Sequence, residues 1–180
     1  MSAVQESDRF VSVATLASEE QNAVVRILED KSTSRLKIYV ITDDPTRRSH
    51  AILSFPELSA DFVTDNRGQL EVKFPKSNWQ QLKGLLRLAV SHYELSPEDT
   101  RRINTGGSTS VNGSLHRVIV SYKDRTLDLY IEEKKSYGPK LNLAVITGEN
   151  GATYFIPLKD GHGTCSIRSL PASITLRLYC

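Results

Sequence analysis

Cysteine is nearly absent from this chain: Cys165 and Cys180 are the two among 180 residues, too few for a disulfide framework. The expectation is a pair of reduced thiols in a soluble intracellular protein of unspecified compartment. Long apolar runs are missing as well. No segment approaches the roughly 18 uninterrupted apolar residues that read as a membrane span, so no membrane association is expected. The opening residues, MSAVQESDRF, carry acids before any apolar stretch, whereas a secretory signal begins basic and runs into an apolar segment. Without such a signal, the acceptor pattern Asn112-Gly113-Ser114 reads as a chance match. A strong charge of one sign is lacking too. With 23 Lys and Arg against 21 Asp and Glu, the net charge is +2. No global field favours nucleic acid or anionic membrane, and any such binding has to come from a local patch.

Specific catalytic motifs are also missing. No H-E-x-x-H or G-x-S-x-G element occurs. A phosphate-cradling loop needs a lysine and a following helix, but Gly106, Gly107 and Gly113 lead into Ser114-Leu115 and strand-like sequence. His162 and Cys165 with the distant Cys180 fall short of the four ligands, in two tight pairs, of a structural zinc. Spacing alone does not establish a Cys–His nucleophilic pair either. Glu132 and Glu133, adjacent on a strand, point to opposite faces. Asp43-Asp44 precedes Pro45 in a turn, where aspartate serves the backbone, and Asp160 has no acidic neighbour. No catalytic residue, metal ligand or cofactor is assigned, and the expectation leans away from an enzyme.

What is present is alternation. An apolar content of 39% with 24% charged residues describes a globular chain, of a size for one domain or one domain of two similar halves. Strands are predicted over 10–17, 35–42, 50–55 and 69–74. The segment 22–30 is open between strand and helix, because Ser18 and Gln21 also make a capping-box pattern. Asp43–Arg48 and Asp65-Asn66-Arg67-Gly68 read as turns. Residues 78–94 carry Trp79, Leu82, Leu85, Leu86, Ala89, Val90 and Tyr93 in steps of three and four, which predicts one long amphipathic helix with Ser77 and Gln80 as its capping box. Gly84 inside it suggests close packing. Ser96-Pro97-Glu98-Asp99 predicts the start of a second short helix. Residues 104–114, NTGGSTSVNGS, read as a flexible loop or linker. Further strands are predicted over 115–123, 126–132, 140–147, 152–158 and 174–179, with Asn150-Gly151 as the strongest hairpin signal.

The expected fold class is α+β: antiparallel β-meanders in two β-rich halves, 1–103 and 115–180, separated by the helix of about 78–94. LKIYVITDD and LNLAVITGEN echo one another across the halves, a pattern short hairpins also produce without duplication.

Basic clusters are the remaining feature. Arg47-Arg48 occupy a turn, Lys134, Lys135 and Lys140 gather near Tyr130 and Tyr137, and further cations lie at Lys73, Lys76, Lys83, Arg87 and Arg101-Arg102. Bases stack on aromatic rings while cations neutralise phosphate, the pairing used by single-strand binders. A meander of about four strands followed by an amphipathic helix, over residues 22–94, resembles the half-unit of the Whirly and Pur-type single-strand-binding folds. The resemblance lies in element order, and no motif carries a functional residue across. The function implied is non-catalytic binding of single-stranded DNA or RNA, with Arg47, Arg48, Lys134, Lys135 and Lys140 on phosphates and Tyr130 and Tyr137 as stacking platforms. The alternative is a protein–protein interaction or regulatory module, viral or oligomeric in character, whose partner is another protein or a second copy.

Overall fold

Val25 and Ile27 alternate with Val24 and Arg26, and Leu36, Ile38 and Val40 with Lys37, Tyr39 and Ile41. One face of each segment is apolar, the condition for a half-buried strand. In the computed structural model, which describes residues 9–55, 60–73, 84–134 and 140–180, these segments are β2 (Ala23–Asp30) and β3 (Arg35–Thr42). They pair antiparallel in a four-stranded sheet of order β1-β2-β3-β6, with β1 at Phe10–Ser18 and β6 at Gln69–Val72. The Ser18/Gln21 pattern serves a strand connection and not a helix: the Ser18 hydroxyl accepts the Gln21 amide at 3.3 Å, and the chain turns back into β2. A three-stranded sheet, β5-β4-β7, is built from β4 (Ile52–Phe55), β5 (Ala60–Val63) and β7 (Leu85–Arg87). Both sheets feed one core: Val25, Ile27, Leu36, Ile38, Val40 and Val72 from the first meet Leu53, Phe55 and Leu88. Phe55 and Phe62 meet edge to face, with ring centroids 6.0 Å apart.

Contacts divide the chain into two units, 1–88 and 89–180. The second holds β8 (Ala89–Leu95), α1 (Pro97–Asn104), β9 (Ser108–Asn112), β10 (His116–Lys123), β11 (Thr126–Glu133), β12 (Leu143–Gly148), β13 (Thr153–Pro157), β14 (His162–Ser166) and β15 (Ile174–Tyr179). They form two four-stranded antiparallel sheets, ordered β14-β11-β10-β9 and β13-β12-β15-β8. Val118, Val120, Leu127 and Leu129 of one share a core with Ala144, Ile146, Leu176 and Leu178 of the other, a two-layer β arrangement. Burying each such Leu or Ile is worth about 1.5–3 kcal/mol. The helix α1 begins as its sequence demands: Ser96 and Asp99 form a reciprocal capping box, Pro97 takes the first turn, and Ile103 is buried.

The β-rich α+β character and the antiparallel sheets are present, but the long helix is not. Residues 85–87 and 89–95 are β7 and β8, while 78–83 and Trp79 lie outside the described residues. AVSHYEL carries two periods at once, and the sheet selected period two: Tyr93 and Leu95 are buried while His92 and Glu94 face out. The element order shared with Whirly and Pur-type half-units therefore does not hold over 84–94. The close packing expected at Gly84 exists on extended chain, where a Cβ would come within 3.2 Å of the Phe55 ring. The segment expected as a linker, 104–114, ends α1 and supplies β9, whose Thr109 is buried and donates to Asp99 at 3.0 Å. Neither β14, which carries His162 and Cys165, nor β5 has a counterpart among the strands expected from the sequence.

Two outcomes follow from this packing. Asp124 and Arg125 connect β10 to β11 as a two-residue turn, both at positive φ (51° and 62°), the mirror-image turn that suits strand twist. Arginine is strained in that region. Arg125→Gly should stabilise the protein by about 0.5–1 kcal/mol, read as a raised Tm. Buried His116 is pushed below the usual histidine range by desolvation, opposed in part by the Glu133 charge; its Nδ1 lies 3.1 Å from the Ser91 hydroxyl. Below the unfolded value, about 6.5, the unfolded chain takes up a proton that the folded chain resists. Stability should therefore fall as pH drops through that range. Urea titrations at pH above and below it should show a steeper decline for the wild type than for His116→Gln.

Candidate functional site

The outer face of the first unit's four-stranded sheet is set by register. One rung runs Thr15, Arg26, Tyr39, Gln69 across β1, β2, β3 and β6, and the next runs Ser12, Leu28, Lys37, Glu71. Directly opposed residues share a face, so Tyr39 sits between Arg26 and Gln69 with Lys37 one rung away. Two turns deliver further cations to this face. The turn carrying Arg48 is tied to the segment before Arg67 by Thr64 Oγ1 donating to the Arg48 carbonyl (3.3 Å), the His50 amide to the Asp65 carbonyl (3.0 Å), and the Thr64 amide to the Ala51 carbonyl (2.9 Å). Asp65 fixes the second turn by accepting the Arg67 and Gln69 amides, each at 2.8 Å. Gly68 closes that turn at φ 75°, its carbonyl accepting the Val40 amide at 2.8 Å.

The result is a hollow of about 280 Å³ lined by Arg26, Arg48, Arg67 and Tyr39, with apolar lining from Leu28 and Ile41. None of these three guanidiniums has an ion-pair partner among the described residues, and the Nε of Arg48 is shut off from solvent without an acceptor. The neighbouring acids are engaged elsewhere. Asp30, 1% exposed, takes a bidentate grip from Arg9 (2.7 and 3.0 Å) and two bonds from Ser32. These, the Arg9 bond first, hold its carboxyl well below the usual aspartate range. Glu71 pairs with Arg35 at 3.1 Å. Asp44 accepts the amide and hydroxyl of Thr46, which lowers its pKa. Towards the sheet's other end, the Lys37 ammonium lies 4.9 Å and the Arg9 guanidinium 5.2 Å from the Phe10 ring centroid, both within cation–π range. A second cleft, of about 240 Å³, lies beside Tyr39 and Gln69, but it sets one cation, Lys37, against two carboxylates, Asp65 and Glu71, and does not suit an anion.

The structure places Arg48 in the hollow and half-buried Arg47 next to it in sequence, outside the lining. Lys134, Lys140 and Tyr130 belong to the second unit. The Lys134 ammonium donates to the Gly113 carbonyl at 2.9 Å, and Lys140 stands 3.5 Å from Asp160. Tyr130 is 49% exposed, in register with Ile119 and His162. On its face Arg117 pairs with Glu132, and His162 Nε2 stands 2.6 Å from the Asp128 carboxylate. Lys135 and Tyr137 lie outside the described residues. Sequence reasoning missed Arg26, Lys37, Tyr39 and Arg67. The signal was available in the alternation itself, since the face opposite Leu36, Ile38 and Val40 had to carry Lys37 and Tyr39.

Among the described residues, no three His, Cys, Asp or Glu side chains gather as a metal site. Burial pushes the Cys165 thiol up, which disfavours the nucleophilic thiolate. No helix among the described residues is long and apolar enough to cross a membrane. Comparison with family models, curated proteins and solved structures gives no match to this chain.

Gly68 is the pivot of the hollow: a Cβ there would stand 2.9 Å from the Val40 carbonyl oxygen and 3.0 Å from the Arg48 Cβ. Gly68→Ala should destabilise the first unit by about 1–3 kcal/mol through positive-φ strain and this clash. Amide NMR shifts should spread along β3 and the Arg48 turn, not stay at residue 68.

Proposed function

We propose that the chain is a non-catalytic single-stranded nucleic-acid-binding protein whose principal contact surface is the outer face of the first unit's sheet. The observation that carries this reading is the cluster of Arg26, Arg48 and Arg67, free of ion pairs among the described residues, around Tyr39. Guanidiniums bind phosphate oxygens through paired donors, and a tyrosine on a sheet face gives a base a ring to stack on. A net charge of +2 does not oppose this, because the acids of the face are consumed by Arg9, Arg35 and backbone amides. Lys37 beside Phe10 extends the same chemistry along the sheet. The roles first given to Arg47, Lys134, Lys135, Lys140, Tyr130 and Tyr137 become secondary proposals; the described cations among Lys134 and Lys140 are already partnered. The second unit's face around Tyr130, where Arg117 is already paired with Glu132, suits a protein partner and supports an interaction role beside the first.

Fluorescence anisotropy with labelled single-stranded oligonucleotides tests this. Three phosphate contacts at about 0.7 log units each per decade of salt imply roughly a 20-fold loss of affinity between about 50 and 200 mM salt. Arg26→Ala with Arg67→Ala should flatten that slope, while Lys134→Ala with Lys140→Ala should leave it nearly unchanged. Absence of binding at the lower salt would refute the reading.

A further inference from the structure

Three cations converge on one small hollow, and this is more charge than an internal phosphodiester supplies. A phosphodiester carries one negative charge on two free oxygens. A terminal phosphate monoester has a third free oxygen and a charge of about −1.5 to −2 near neutral pH. We propose that the hollow of Arg26, Arg48 and Arg67 holds the terminal phosphate of a single strand, so that the protein engages strand ends in preference to internal backbone. This rests on the nucleic-acid reading above and narrows it.

The dimensions agree: about 280 Å³ falls just below the range of drug-sized ligand pockets, about 300 to 1,000 Å³. That volume suits an end group and part of its nucleotide. Arg48 is held for the task. Gly68 backs its Cβ, Thr64 binds its carbonyl, and its Nε, removed from solvent, has no acceptor among the described residues. Arg48 also lines the hollow, and a guanidinium set there offers phosphate oxygens paired, charge-assisted donors. Tyr39, Leu28 and Ile41 line the same hollow and offer the end nucleotide's sugar and base a ring and apolar contact. That favours a nucleic-acid end over a phosphorylated peptide.

The experiment compares one short oligonucleotide carrying a 5′-phosphate, a 3′-phosphate or hydroxyls at both ends, by anisotropy at about 100 mM salt. One phosphorylated end should bind about tenfold more tightly than the hydroxyl strand, the effect of a single charge-assisted hydrogen bond. Arg48→Lys keeps the charge and loses the guanidinium's paired donors, and should erase that advantage while weakening the hydroxyl strand to a lesser degree. Arg26→Gln, on an open strand face, should do the same if the Arg48 variant fails to fold. Equal binding of all three strands would overturn end recognition and leave the broader reading standing; no binding by any strand would overturn both. Inorganic phosphate or a phosphoserine peptide competing as well as the phosphorylated strand would overturn the proposal in favour of a general anion pocket or a peptide site.

Discussion

The register of β3 between β2 and β6 is the constraint on which the first unit depends. Strand side chains alternate with a period of two, so a slip of one residue exchanges the faces wholesale. Leu36, Ile38 and Val40 would enter solvent, and Lys37, Tyr39 and Ile41 would be driven into the core. In place, the same register lines Arg26, Tyr39 and Gln69 along one rung. Core formation and presentation of the cationic face are thus one event.

The distribution of charge explains how a nearly neutral chain presents a cationic hollow. Asp30 is spent on Arg9 and Ser32, Glu71 on Arg35, and Asp65 on the amides of its own turn. The second unit follows another policy. Arg117 and Lys140 each lie beside a carboxylate, and the Lys134 ammonium is held by a backbone carbonyl. Net charge averages over both arrangements and describes neither.

Much of the fold was legible where one period dominated. The segments 35–42, 126–132 and 174–179 became β3, β11 and β15 with boundaries within a residue, because apolar residues recur there at every second position with no competing helical stripe. Ser96 to Asp99 declared its helix because cap, proline and acids coincide. The failure at 84–94 has a physical cause. Leucine and alanine suit either structure, and an i, i+3, i+4 stripe overlaps an i, i+2 stripe over short stretches; pairing with distant β15 decided the outcome. The strand in 108–112 was hidden because Val111 is its one apolar residue, too little for a period to show, while Thr109 is buried and bonded to Asp99. At the site, Arg48 was found from a local cluster of cations. Arg26 and Arg67 were not, since neither has a basic neighbour and only register and turn closure bring them to Tyr39.

The pairing of β8 with β15 sets Leu95 against Ile174 and makes β15 the bridge between β8 and β12. The first strand of the second unit thus waits for the last. During synthesis β10 and β11 can form their hairpin within microseconds of emerging, but β8 pairs with β15 and has to wait for it. Such a non-local closure is slow, and its unpaired edge is exposed to other chains meanwhile. The second unit therefore assembles by hairpins first and closure last, and its vulnerability to aggregation is greatest in the interval between them.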